Sequence, residues 1–281
     1  MPKFPAQTLK YIMINKLLHM LKGRPKSFAP QIPDGQRVYA LGDIHGRLDL
    51  FEAMITAIED DERRSAPEKV TIILLGDLID RGPDSAGVVA RARALQKTRD
   101  VRILMGNHEE MLLRSMEDRS VLAPFLNHGG RETLLSYGLS AQDYDLCDHE
   151  ELQNLLIAKV PARDKSFINS FHNAIEIGDY LFVHAGIEPG KALRDQDERN
   201  LRWIREPFLS HAAPHSHVVV HGHTITERPE NRSNRIGLDT GAYRSGALTA
   251  VVLEGTERRY LQTRISDDGA ITAAPFEADE P

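Results

Sequence analysis

The chain has a single cysteine, Cys147, among 281 residues. It can close no internal disulfide, so a disulfide-held secreted scaffold is excluded, as are zinc sites built from several thiolates. No apolar run approaches the ~18 residues that a membrane-spanning helix needs. Positive charge is also short: 41 acids outweigh 35 Lys and Arg, for a net charge of −6. A protein that binds nucleic acid without regard to sequence needs a basic face to neutralise phosphates, and this balance argues against one. Internal repeats and low-complexity tracts are absent as well. The remainder is ordinary: 41% hydrophobic and 27% charged residues, enough for a sizeable core in one large domain or two small ones. The abundance that is not ordinary is histidine, with twelve copies.

The N-terminal stretch is basic. Residues 1–26 contain Lys3, Lys10, Lys16, Lys22, Arg24 and Lys26 and no acid. Lys10 and Lys16 interrupt its apolar residues, and no small-residue cleavage site follows, so the pattern is not that of a signal peptide. A flexible extension over residues 1–34 is expected. The alternative is a short amphipathic helix, with Ile12, Leu17 and Leu18 on one face, making weak contact with a membrane surface or partner. A cytoplasmic location is expected.

From Arg37 onward, short β-rich apolar runs end in Gly-Asp or Gly-Asn and helical patterns follow. Val38–Leu41 runs into GDIHG, Val70–Leu75 into GDLIDRG, and Val101–Met105 into GNHEE. Between them, Leu48–Glu59 and Ser85–Gln96 read as helices, the first with apolar residues at Leu50, Phe51, Met54, Ile55 and Ile58. Strand–helix–strand order implies parallel pairing with right-handed crossovers, and the loops after such strands collect on one sheet edge, where ligands bind. The three glycine turns should therefore meet in space. Residues 110–173 read as a helical cap or insertion, broken at Gly129–Gly130, with a loop-like acidic segment at Asp143–Glu151. Strands then return at Ala174–Ile177, Tyr180–Val183, Val218–Val220, Ile236–Asp239, Ala247–Leu253 and Arg258–Thr263. Their close spacing predicts a second, mainly antiparallel sheet. The fold class is α/β: two sheets face to face with helices outside, over residues 35–265. Residues 266–281 are expected to be a frayed acidic tail.

The polar residues that directly follow these apolar runs are Asp43, His45, Asp77, Asn107, His108, His184 and His223. A single Asp after a strand usually caps the next helix, and a single His in apolar surroundings is usually a core residue. Metal-ligand types at five strand ends, three of them with glycine immediately before, are not explained by capping, which does not favour histidine. Oxygen and nitrogen donors suit Mn²⁺, Fe²⁺ or Zn²⁺. Two metals ~3.5–4 Å apart need a shared ligand, and Asp77 on the central turn can supply both carboxylate oxygens. His211, His215 and His217 read as members of a polar loop.

The blocks GDIHG, GDLIDRG, GNHE, HAG and GHT, in this order, resemble the calcineurin-like metallophosphoesterases, and within them the bacterial and phage-type phosphoprotein phosphatase branch. The resemblance covers about Val38 to Leu253. It implies a two-sheet sandwich with a dinuclear centre at the strand ends. One cation would be held by Asp43, His45 and Asp77 and the other by Asp77, Asn107, His184 and His223, with manganese first and iron or zinc as alternatives. His221 matches no family ligand and is expected in a wall or supporting role. In the implied reaction, hydroxide bridging the metals attacks phosphorus directly. His108 protonates the leaving group, and Asp80 orients that imidazole and favours its charged form. Arg81, and Arg205 in the LRWIRE block, are the expected phosphate-binding cations. Arg131 is a weaker candidate, and Asp239 in LDTGA is expected near the site.

The resemblance favours a serine/threonine protein phosphatase acting on phosphoproteins or phosphopeptides. A symmetrical dinucleoside tetraphosphatase shares the same metal motifs but needs a second nucleotide pocket, and no aromatic pair marking one is visible in the sequence. A non-catalytic metal-binding interaction module is the reading from another class. Degenerate relatives lose ligands or the acid, and none is missing here.

Overall fold

The computed structural model describes residues 29–65 and 67–278. The expectations for residues 1–28 and 279–281 lie outside them. Residues 31–34, assigned above to the extension, pack onto the body: Ile32 is fully buried and its N–H donates to Gly255 O at 2.8 Å.

Strands β1 (Gln36–Leu41), β2 (Lys69–Leu74) and β3 (Val101–Ile103) are parallel neighbours. Helix α1 (Leu48–Arg64) and helix α2 (Ser85–Leu95) make the crossovers. α1 forms because its apolar residues recur on one stripe. Leu50, Phe51, Met54, Ile55 and Ile58 are all buried, with Asp49 in the first turn and Arg63 and Arg64 in the last. Each of those side chains contributes up to ~1.5–3 kcal/mol by leaving water. Asp84 caps α2 by accepting from Gly87 N–H at 2.7 Å. Helix α3 (Asn107–Glu117) begins the largely helical stretch that runs to Asn169.

The remaining strands are β4 (Ala174–Ile177), β5 (Tyr180–Val183), β6 (Val218–His221), β7 (Glu230–Asn231), β8 (Arg235–Gly237), β9 (Thr249–Glu254), β10 (Glu257–Ile265) and β11 (Ile271–Phe276). The first sheet has six strands in the order β11-β10-β9-β1-β2-β3, and the second has five in the order β4-β5-β6-β8-β7. Side chains alternate between layers, as the strand period requires. Val38, Ala40 and Ile73 face Phe182, Val220 and Ile236 between the sheets. Tyr39, Leu41, Ile72 and Leu74 face α1 and α2. Leu181, Val183 and Val219 cover the outer side of the second sheet with Leu201, Ile204 and Phe208.

Three expectations differ from this arrangement. The second sheet is mixed, because β5, β6 and β8 run parallel, and β9 and β10 join the first sheet beside β1. The acidic Asp143–Glu151 segment holds parts of two helices, Ala141–Leu146 and His149–Lys159, capped by Ser140 and Asp148. Acids crowded into first turns serve the helix ends, so their density does not signal a loop. The tail is not frayed throughout, since Ile271–Phe276 forms β11 against β10.

Candidate metal centre and active site

The loops that follow β1, β2, β3, β5 and β6 converge on one end of the two sheets. The turns are tight. His45, Asp77, Asp80, Arg81 and His223 all have positive φ, between 46° and 73°, and they are the only non-glycine residues so placed among those described. Such backbone costs about 1–3 kcal/mol per residue and persists where surrounding contacts over-determine it. Gly106 and Gly222 permit close approaches, because a Cβ there would collide with Asp77 Oδ1 and Asp43 Oδ1 respectively.

Glu109 supplies much of that over-determination. Its fully buried carboxylate accepts three backbone N–H groups: Leu78 at 2.7 Å, Asp77 at 2.9 Å and Gly106 at 3.1 Å. It thereby ties the β2 and β3 loops together.

Two groups of potential ligand atoms form around Asp77. His45, Asp77 and His108 make one; Asp77, His184 and His223 make the other; within each, the atoms lie within 4.8 Å of one another. His45 Nδ1 lies 2.7 Å from Ile79 O, and His184 Nδ1 lies 2.7 Å from Leu75 O. A carbonyl only accepts, so both Nδ1 atoms carry a proton, and in the neutral ring each Nε2 is the atom free to ligate. The two Nε2 atoms face Asp77, His45 at 3.7 Å from Oδ2 and His184 at 3.4 Å from Oδ1. Asn107 Oδ1 lies 3.0 Å from His184 Nε2 and 2.8 Å from His223 Nδ1. Asp43 accepts the His223 backbone N–H at 3.0 Å.

Burial favours a neutral Asp77, but the imidazoles of His184 and His108 outweigh it and hold the carboxyl well below its ordinary range. Asp43 goes the other way, raised well above its ordinary value by burial and by the nearby Asp239 and Asp77 carboxyls. The buried Asp239 Oδ2 has no hydrogen-bond partner among the described residues. Buried acceptors facing one another at 3–4 Å need positive charge between them, and divalent cations fit this donor set. His45 and His184 already have the tautomer and carbonyl support that metal-ligating histidines use.

His108 belongs both to this cluster and to a second device. Its Nδ1 is 2.6 Å from Asp80 Oδ2. Asp80 is fully buried, and its other oxygen accepts Thr133 Oγ1–H at 2.5 Å. The Asp80 N–H donates to Ser85 Oγ at 2.9 Å. Burial lowers His108 to about 4, and Arg81 adds to that fall against the pull of Asp77. Burial also raises the Asp80 carboxyl well above its ordinary value. Asp80 therefore orients the ring, while burial opposes the charged imidazole that the sequence led us to expect.

Arg81 spans the cluster, with Nη1 at 2.8 Å from His45 Nε2 and Nη2 at 2.9 Å from His108 Nε2. Its guanidinium lies over the Tyr243 ring, 5.0 Å from the centroid. Arg205 is exposed on the His223 side. Burial brings His223 down to about 3, with the His184 and Arg205 charges acting in the same direction. The Trp203 ring lies 6.4 Å from that of His223, and its indole N–H donates to Glu110 at 2.8 Å.

His221 is buried outside the cluster, with Nδ1 at 3.0 Å from Gly222 O. His211 and His215 stack on each other in the segment that leads into β6, at the end of that strand away from His223. Arg131 lies over the Tyr144 ring and faces Glu132 at 3.5 Å. Sequence reasoning missed Glu109, Thr133, Tyr243 and His128. Glu109 stands inside GNHEE, but its inward turn depends on contacts with a loop 31 residues away.

No helix among the described residues is long and apolar enough to cross a membrane. Residues 36–245 match the Calcineurin-like phosphoesterase family. A symmetrical bis(5'-nucleosyl)-tetraphosphatase of Acidovorax sp. (strain JS42) is 31% identical over 62% of this chain; the match spans 48% of that relative, about half its length. Serine/threonine-protein phosphatase 1 of Salmonella typhimurium (strain LT2) is 28% identical over 76% of this chain and 90% of its own. A crystal structure provisionally described as a diadenosine tetraphosphatase superposes with a TM-score of 0.56 at 21% identity, covering 89% of this chain and 95% of that one. That likeness concerns the fold.

Proposed function

The chain belongs to the calcineurin-like phosphoesterases, and from that membership we infer a metal-dependent hydrolase of phosphate esters whose preferred substrates are phosphoserine and phosphothreonine in proteins. Asp43, His45 and Asp77 would hold one divalent cation, and Asp77, Asn107, His184 and His223 a second. Manganese suits the nitrogen and oxygen donors, with iron or zinc as alternatives. When bound, such ions supply Lewis-acid charge to phosphoryl oxygens and bring the pKa of water towards neutrality.

The chain's own residues do the rest. Arg81 presents two guanidinium nitrogens beside the donor cluster, a fork that matches two phosphate oxygens. Arg205 adds charge from the opposite side. His108, aimed by Asp80, gives its Nε2 proton to the leaving oxygen. A phosphate dianion beside the ring offsets the burial that lowers His108, so the imidazole recovers its proton in the complex.

The locked His108–Asp80 pair, 2.6 Å apart, carries the choice of substrate. A serine or threonine alkoxide leaves poorly and requires a proton. A nucleoside polyphosphate leaves as a stable anion and requires one far less. A specific observation supports the second reading, hydrolysis of dinucleoside tetraphosphates. Tyr243 lies 5.6 Å from His45 and Trp203 lies 6.4 Å from His223, so an aromatic ring stands at each ligand group. The sequence hides this pair because its members are far apart in the chain.

The test uses the metal-loaded enzyme. Phosphopeptides should be cleaved with higher kcat/KM than diadenosine tetraphosphate; the reverse order selects the second reading. His108→Asn should lower kcat on a phosphopeptide by about 100-fold or more, with a much smaller loss on p-nitrophenyl phosphate and unchanged metal content. Equal losses on both substrates would remove His108 as the acid.

A further inference from the structure

The helical stretch between β3 and β4 is broken by a π-turn at Leu126–Gly130, and that turn passes the active site. Gly129, at φ 110°, accepts the Arg81 backbone N–H at 3.2 Å. A Cβ on Gly129 would run into Arg81. The preceding residue, His128, is exposed. Its ring lies 6.4 Å from that of His108, which in turn lies 4.7 Å from that of His45. Three imidazoles thus stand in file. His45 and His108 are buried within the donor cluster, and His128 is open to solvent beyond them.

His128 is also aimed. Its Nδ1 is 2.7 Å from Pro124 O, four residues earlier, so Nδ1 carries the proton and donates it. Pro124 lacks an N–H, and the glycine pair 129–130 lets the chain widen into the π-turn. Those local choices fix the ring and leave Nε2 with no hydrogen-bond partner among the described residues. None of the hydrolytic steps above uses it.

We propose that His128 is a substrate-contacting residue that reads the leaving group. This rests on the reading of His108 as the acid. The leaving oxygen meets His108 Nε2, so whatever is attached to that oxygen continues outward, past the next imidazole in the file. His128 Nε2 accepts a hydrogen bond from a donor on that portion when the ring is neutral and donates one when it is charged. Polar leaving groups that extend beyond the scissile ester, such as a peptide backbone or a nucleotide ribose, reach it. A compact aryl leaving group such as p-nitrophenol carries no N–H or O–H donor beyond the scissile oxygen, and its nitro oxygens are weak acceptors.

The experiment compares wild type, His128→Ala and His128→Gln, each metal-loaded, on p-nitrophenyl phosphate, a phosphoserine peptide and diadenosine tetraphosphate. Removing one hydrogen bond of this kind changes selectivity by about tenfold. His128→Ala should lower kcat/KM for the extended substrates by that factor relative to p-nitrophenyl phosphate, with the loss mainly in KM. His128→Gln, which keeps hydrogen-bonding ability, should restore at least part of it. An unchanged selectivity ratio on every extended substrate the wild type turns over, or an equal fall on p-nitrophenyl phosphate, overturns the proposal. If His108→Asn proves equally damaging on all leaving groups while His128→Ala still shifts the ratio, the acid assignment fails and the His128 contact stands. A wild type active only on the aryl ester sinks both.

Discussion

At the scale of single residues, the site depends on turns that local preference opposes. Five side chains sit at left-handed backbone positions, and Glu109 accepts three N–H groups from the β2 and β3 loops, the first of which carries Asp77, Asp80 and Arg81. A glutamine at 109 keeps the length but offers one acceptor oxygen, and its amide N–H₂ faces backbone donors. Glu109→Gln should therefore loosen Asp77 without emptying the core. We expect metal affinity to fall by about 10–100-fold, the cost typical of a lost supporting contact, with the far-UV spectrum retained. Metal titration by calorimetry checks this, and wild-type affinity in the variant would show that the backbone holds Asp77 unaided. The ligand-type residues were legible in the sequence because each lies at the end of an apolar run, several of them after a glycine. Glu109, Thr133 and Tyr243 were not, because each acts through a loop remote in the chain.

At the scale of elements, α1 and α2 were readable because their apolar residues repeat with the helical period. Sheet membership was not readable. β9 and β10 follow β8 in the chain, yet β9 pairs with β1, a choice made by long-range packing. β11 was hidden for another reason: ITAAPF alternates weakly and contains Pro275. That proline has no N–H to offer, which an edge strand tolerates, and β11 is the edge of the six-stranded sheet. Cutting the chain after Ile265 would remove β11 and bare β10. We expect Tm to drop by several degrees and aggregation to rise from the exposed edge. Activity well below the new Tm should stay within about twofold, because β10 and β9 separate β11 from β1 and the site loops. Loss of kcat/KM at low temperature in the truncated protein would show that the edge also supports the centre.

At the scale of the whole molecule, one carboxylate joins a helix to two strands. Asp61, on α1, accepts hydrogen bonds from Tyr39 at 2.7 Å and Arg37 at 3.2 Å, both on β1, and from Arg259 on β10 at 3.0 Å. Burial pushes its carboxyl up, but the bonds from Arg259 and Tyr39 prevail and hold it below the usual 3.8. The folded state thus releases the Asp61 proton more readily than the unfolded chain does. The stabilisation is complete above the ordinary carboxylate range and is lost as pH falls through the lowered folded value. Acid also protonates every other paired carboxylate and weakens metal binding, so the wild-type curve alone cannot isolate Asp61. The difference between wild type and Asp61→Asn can, because terms common to both cancel. In urea titrations the variant should be less stable at pH 7. The gap should hold down to about pH 5 and narrow progressively below it. A gap that stays constant to pH 3 would mean that Asp61 binds its proton equally well in the folded and unfolded states and that its contribution is packing alone.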